Sequence, residues 1–252
     1  MKDAVVEVHE LSKRYADVLA IDRVSFEVGR GAICALLGGN GAGKTTLLSM
    51  LLGLLLPTGG RLYVLGTDMR RHRYRVLHRM NFSSPYVDLP LRLTVRENLT
   101  VYGRLYGLNQ LRNRLAALAG QLDIGRFLDR PYGTLSAGQK TRVALAKSLL
   151  NEPDVLLLDE PTASLDPDTA DSVRRMLRDY QRRSGATLLM ASHNMLEVER
   201  MCDDVIMLRA GRIVDRGAPS ALLGRYGRSS LEDVFIDMAR KAAPHNAGGG
   251  AA

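Results

Sequence analysis

The run Gly38-Gly39-Asn40-Gly41-Ala42-Gly43-Lys44-Thr45 fits the spacing G-x-x-x-x-G-K-[ST] of a phosphate-binding loop. Four glycines, at 38, 39, 41 and 43, let the backbone take positive φ and bring its N–H groups close to an anion. Lys44 supplies a full charge for the β- and γ-phosphates of a nucleotide, and the Thr45 hydroxyl is placed to ligate Mg2+. The apolar run Ala32-Ile33-Cys34-Ala35-Leu36-Leu37 before the loop reads as a buried strand, and 46–52 behind it as a helix whose N-terminus adds positive charge. This strand–loop–helix setting separates a cradle of Gly38, Asn40, Gly41, Ala42, Gly43, Lys44, Thr45 and Thr46 from a glycine-rich turn with a chance lysine.

Asp159-Glu160 follows Val155-Leu156-Leu157-Leu158, a strand pattern buried on both faces. A buried acid pair needs a partner. Mg2+ supplies one: Asp159 is placed to hold the metal, directly or through water, and Glu160 to polarise an attacking water. His193 ends the next strand. A lone histidine is more often structural, but at this place it could reach the γ-phosphate or the water. Ser136 reads as the N-cap of a helix carrying Val143, Leu145 and Ala146. The same helix start, with Gly138, is also an anion site; it lies away from the first loop in the chain, so a phosphate there would belong to another molecule's nucleotide. Tyr15 is either a purine-stacking aromatic or a packed surface tyrosine.

The elements that must position these residues follow from periodicity. An edge strand is expected at 4–9, a second strand at 21–28 and a third at 61–65. A basic helix is expected at 69–78 and a short strand at 79–83. Thr94-Val95-Arg96-Glu97 is a capping box opening a helix, a second helix covers 111–122 and a short one 124–128. Residues 86–150 thus form a helical subdomain inserted into an α/β core of 1–85 and 151–228. A helix at 167–184, a strand at 186–191, a helix capped by Asn194 and a strand pair at 205–208 and 213–216 complete the alternation of a mainly parallel sheet. A C-terminal helix is expected at 229–240, and the Ala/Gly-rich tail 241–252 reads as disordered.

The bulk numbers bound the partners. With 252 residues, 46% hydrophobic and 25% charged, the composition is that of a soluble globular chain able to bury a full core. The net charge of +8 has one dense patch, Arg70-Arg71-His72-Arg73-Tyr74-Arg75, which reads as a solvated helix face; no nucleic acid is expected. Cys34 and Cys202 show no metal-ligand spacing and fit a reducing cytosol. The N-terminus is too polar for a signal peptide, and the longest apolar run, 47–56, is too short to span a bilayer, so any spanning is expected of another polypeptide.

Taken in order over residues 4–228, these motifs resemble the nucleotide-binding subunit of an ATP-binding cassette (ABC) transporter. Gly38–Thr45 matches the family's Walker A, and Leu135-Ser136-Ala137-Gly138-Gln139 resembles its signature sequence. Val155 to Glu160 matches Walker B with its catalytic glutamate, and Ala163-Ser164-Leu165-Asp166 resembles the D-loop. His193 resembles the switch histidine and Tyr15 the adenine-stacking aromatic.

The resemblance implies a P-loop NTPase (RecA-like) core with a mainly parallel sheet, an antiparallel β edge and an inserted helical subdomain. It implies an ATPase using ATP and Mg2+, working as a homodimer or cassette dimer. Ser136, Ala137, Gly138 and Gln139 of one copy would face Walker A of the other. It further implies an integral membrane permease partner and a place on the cytoplasmic face of the cell membrane. Ser229-Ser230-Leu231-Glu232-Asp233-Val234-Phe235 resembles the closing helix of cassettes serving separate exporter subunits, of drug, lipid or polysaccharide type.

The chain also departs from the family. Gly39 stands where Pro is usual, Ala137 where Gly is usual, and Ala163-Ser164 where the D-loop begins Ser-Gly. The Q-loop glutamine is missing; in Asn81-Phe82-Ser83-Ser84-Pro85-Tyr86 the spacing favours Ser84 as its equivalent and as a weak or water-mediated metal ligand, with Ser83 or Pro85 as alternatives. Two rival readings remain: a soluble cassette acting on ribosomes or DNA, and a non-hydrolysing regulatory cassette. The single cassette without heptads argues against the first, and intact Lys44, Asp159, Glu160 and His193 against the second.

Overall fold

The computed structural model describes residues 4–85, 87–163 and 165–241. The tail from 242 on, Tyr86 of the Q-loop segment and Ser164 of the D-loop segment lie outside the described residues. In chain order the strands are β1 (Ala4–Tyr15), β2 (Val18–Gly29), β3 (Ile33–Leu37), β4 (Gly59–Val64), β5 (Thr67–Asp68), β6 (Met80–Ser83), β7 (Val155–Asp159), β8 (Thr187–Ser192), β9 (Asp204–Arg209) and β10 (Arg212–Gly217). The helices are α1 (Lys44–Leu51), α2 (Val95–Leu105), α3 (Leu111–Gln121), α4 (Ala137–Leu149), α5 (Pro167–Ser184), α6 (Met195–Met201), α7 (Pro219–Tyr226) and α8 (Leu231–Lys241).

The main sheet runs β10-β9-β3-β8-β7-β6. All neighbours in it are parallel except the edge hairpin β9–β10. Every residue of β3, β7 and β8 is buried, as a parallel sheet covered on both faces requires. One face, with Ile33, Ala35, Leu37, Leu156, Leu158, Leu188 and Met190, shares a core with Val95 and Leu99 of α2, Leu115 of α3, Val143 of α4 and Leu231 of α8. The other face, with Cys34, Leu36, Leu157 and Leu189, packs on α1 and on the smaller sheet, β2-β1-β4-β5. Each fully buried Leu contributes about 1.5–3 kcal/mol.

Three expectations are corrected. The first strand extends to Tyr15 and is internal, with β2 on one side and β4 on the other. The expected helix at 69–78 is replaced by two short 3-10 turns, Arg73–Arg75 and Leu77–Arg79. Asp68 Oδ1 accepts the N–H groups of Arg70 and Arg71 at 2.8 and 3.3 Å, a local turn that competes with helix. Met69 and Val76 alone are buried there, and one apolar residue per two turns gives no stripe to hold a helix against the core. The expected helix at 124–128 is a 3-10 turn over Gly125–Phe127.

Candidate functional site

The phosphate loop joins β3 to α1. Gly43 is the N-cap of α1, with φ 105° and no side-chain cap, so the first-turn N–H groups of Lys44, Thr45 and Thr46 have no capping partner. Such a helix start suits an anion. A Cβ on Gly43 would lie 2.6 Å from Ile21 Cδ1 and 2.9 Å from the Ala20 carbonyl oxygen. One on Gly38 would lie 2.5 Å from the Leu208 carbonyl oxygen. The turn between β9 and β10 clamps the loop: Gly211 N–H donates to the Ala42 carbonyl at 3.0 Å, and the Gly211 carbonyl accepts from Asp22 N–H at 2.8 Å. Val18, Leu19 and Ala20 wall a cleft of about 530 Å³ whose floor includes Asn40, Gly41, Ala42, Gly43, Lys44, Thr45 and Thr46. Tyr15 pairs with Val18 in the hairpin register and is 45% exposed, with Lys13 Nζ 5.1 Å from its ring centroid.

Lys44 Nζ donates to the carbonyls of Gly38 at 2.5 Å and Gly39 at 3.2 Å. Burial lowers its pKa, while the carboxylates of Glu160 and Asp159 oppose that shift. The loop lysine and the acid pair at the end of β7 therefore share one electrostatic site. Asp159 is buried; burial raises its pKa first and Glu160 adds to it, against Lys44 and Ser84. The β6–β7 register sets Ser83 opposite Leu158, and Ser84 Oγ, one residue on, donates to Asp159 Oδ2 at a long 3.5 Å. Thr45, Asp159 and Ser84 are oxygen donors, the set Mg2+ prefers alongside phosphate oxygens and water. The raised Asp159 is a carboxylate short of positive charge, which a cation relieves. Among the described residues no group of three or more His, Cys, Asp and Glu is placed to hold a metal ion.

Glu160 sits just past β7 in the left-handed region, φ 48°, held there by its N–H to the Ala191 carbonyl at 2.9 Å. Strain of this kind concentrates at functional sites. Its Oε1 accepts the His193 backbone N–H at 3.0 Å and contacts His193 Nδ1 at 2.6 Å. With Glu160 as carboxylate, Nδ1 carries the proton. The His193 side chain is 64% exposed against 9% for Glu160, so the histidine reaches solvent while the acid does not.

Ser136 caps α4 as expected: its Oγ accepts from Gln139 N–H at 3.3 Å, and Gln139 Oε1 accepts from Ser136 N–H at 3.1 Å. Ser136 and Ala137 are exposed, and Gly138 and Gln139 half-buried. Among the described residues no hydrogen bond joins 136–139 to the phosphate loop of the same chain. Asp166 caps α5 by accepting Thr169 N–H at 3.0 Å. Sequence reasoning missed the 18–20 wall, the Gly211 clamp and the buried network of Ser192, Thr162 and Glu197 beside Glu160. Gly211 alone carried a signal, as a turn glycine. Among the described residues no helix is long and apolar enough to cross a membrane.

Residues 21–163 match the family described as ABC transporter, a span that takes in the phosphate loop, the cap of α4 and Glu160. Nod factor export ATP-binding protein I of Ralstonia nicotianae is 38% identical over 235 residues, covering 92% of this chain and 73% of the relative. ABC transporter ATP-binding protein NatA of Bacillus subtilis is 34% identical over 239 residues, 92% of this chain and 97% of the relative. A solved ATP binding subunit of an ABC transporter superposes with a TM-score of 0.86 at 27% identity, over 93% of this chain and 99% of that one. A phosphate loop, an acid pair on the next-but-one strand and near full-length likeness to such proteins lead to one conclusion: the chain belongs to the ABC transporter family, as an ATP-binding protein.

Proposed function

We propose that the chain hydrolyses MgATP to power export through separate membrane subunits. The observation that carries this reading is Glu160, buried, held to His193 at 2.6 Å and sharing its electrostatic site with Lys44. Lys44 and the free N–H groups at the start of α1 hold the β- and γ-phosphates. Thr45 and Asp159 hold Mg2+, with Ser84 as a weak or water-mediated third oxygen; the metal supplies charge neutralisation of the phosphates. Tyr15 stacks on the base above the 18–20 wall. Glu160 takes a hydrogen bond from the attacking water, and His193 in its imidazolium form, in which both ring nitrogens donate, gives Nδ1–H to Glu160 and Nε2–H to the γ-phosphate.

Among the described residues the start of α4, with Ser136, Ala137, Gly138 and Gln139, makes no hydrogen bond to the phosphate loop of its own chain. That supports a dimer in which each copy closes the other's nucleotide, the two closing on ATP and opening after hydrolysis. Closure then moves a membrane permease on the cytoplasmic face of the membrane. The export direction is supported by the Nod factor export relative and by the C-terminal helix α8.

The test is Glu160→Gln in the purified chain. The variant should bind ATP, form the dimer and lose turnover by at least about a hundredfold; unimpaired turnover would sink the assignment. Co-purification with a multi-span membrane protein from detergent extracts checks the transport half, and its absence from such extracts counts against it.

A further inference from the structure

Asp159, Glu160 and Glu197 are the buried carboxylates among the described residues, and the first two already have roles. Glu197, in the first turn of α6, is 2% exposed. No ion pair reaches it among the described residues. Instead Thr162 Oγ1 donates to its Oε1 at 2.5 Å, and Ser192 Oγ donates to its Oε2 at 3.2 Å. Its backbone N–H is capped by Asn194 Oδ1 at 3.1 Å, which fixes the start of α6 that carries it. Burial pushes its pKa up, and the two hydroxyl donors pull the other way.

Ser192 has one hydroxyl proton and two carboxylates within reach. Glu197 Oε2 lies at 3.2 Å and Glu160 Oε2 at 3.5 Å, so the proton goes to Glu197. The Ser192 oxygen in turn accepts Asn194 N–H at 3.0 Å, which fixes its orientation. On Glu160, Oε1 is taken by the backbone N–H and ring of His193. Oε2 is therefore the oxygen left for water, and with Ser192 pointing elsewhere it keeps both lone pairs for that hydrogen bond. Thr162 lies two residues after Glu160, on the way to Asp166, while Ser192 and His193 follow from β8.

We infer that Glu197 is a positioning residue for Glu160. By taking the Ser192 proton it keeps Glu160 Oε2 open to the attacking water. By taking the Thr162 proton it ties the loop after β7 to the turn after β8, so that the Asp166 segment and His193 move as one body. This inference rests on the reading of Glu160 as the residue that polarises water.

Glu197→Gln tests it in the full chain. The isosteric amide turns its oxygen to Thr162 and its Nε2–H to Ser192, whose proton must then swing to Glu160 Oε2. The expected result is a kcat lower by about tenfold to a hundredfold, with the ATP KM changed less than about twofold. Adding Ser192→Ala removes the misdirected proton and should restore at least about a fifth of the lost rate, a rescue that a merely structural role would not give. An unchanged kcat, a parallel loss in kcat and KM, or a double variant slower than the single one overturns the inference. Glu160→Gln is measured alongside. Retained turnover there overturns the reading of the site itself, whereas abolished turnover with a normal Glu197→Gln overturns the Glu197 role alone.

Discussion

Alanine at Gly43 should destabilise the chain by about 3 kcal/mol, and the structure allows that figure to be assembled from parts. Gly43 has φ 105°, and a side chain in left-handed backbone costs about 1–2 kcal/mol. Its new Cβ would also meet Ile21 Cδ1 at 2.6 Å and the Ala20 carbonyl oxygen at 2.9 Å. The isoleucine tip can swing aside, but the carbonyl belongs to β2 and cannot, so overpacking adds about 1–3 kcal/mol. Two neighbours in the same loop separate the terms. Gly41 has φ +74° but nothing within 4 Å of its Cβ, so Gly41→Ala carries the backbone strain alone, about 1–2 kcal/mol. Gly39 is not in that region and its Cβ would meet only Phe235 Cζ at 3.8 Å, so Gly39→Ala should be neutral or slightly stabilising. Thermal unfolding of the full chain without nucleotide, at one scan rate, reads the series. Gly43→Ala should melt roughly 6–12 °C lower and Gly41→Ala about half as far, with Gly39→Ala unchanged. A Gly43→Ala melting temperature within about 2 °C of Gly41→Ala would refute the claim that close approach of β2, beyond conformation, selects glycine at 43.

Ser84→Ala removes the hydroxyl that donates to Asp159 at 3.5 Å and should raise the Mg2+ concentration for half-maximal ATPase by about fivefold, the worth of one weak hydrogen bond; an unchanged Mg2+ titration counts against Ser84 at the metal. Asp166→Asn tests the cap of α5 by pH. The Thr169 N–H and hydroxyl hold the Asp166 carboxyl below the usual aspartate range, so its charge stabilises the fold above that range, and the benefit is lost as pH falls through the folded pKa. The wild type should exceed the variant in urea midpoint at pH 7 and converge with it below about pH 3.9; a constant gap across that range contradicts the assignment.

The fully apolar runs at 33–37 and 155–158 were legible as core strands because a strand covered on both faces leaves no polar alternation. The capping box at Thr94 and the N-cap at Ser136 were legible because a cap and its partner lie within four residues. The stretch 69–78 was misread because its arginines fit a helix by propensity, whereas a helix also needs a buried stripe, and here only Met69 and Val76 are buried. That β1 is internal was hidden for a related reason: pairing partners are chosen across the chain, and β4 arrives fifty residues later.

What the sequence determined by itself is chemistry that depends on near neighbours: glycines, Lys44 and Thr45 in one loop, Asp159 and Glu160 at one strand end, Ser136 at one helix start. Only tertiary structure decided which groups meet across long separations. It set Ser84 beside Asp159, Gly211 against Ala42, His193 on Glu160 and Thr162 on Glu197. The physical reason is that hydrogen bonds act over about 3 Å, and the strand register and loop packing that bring such residues that close are fixed by the whole sheet.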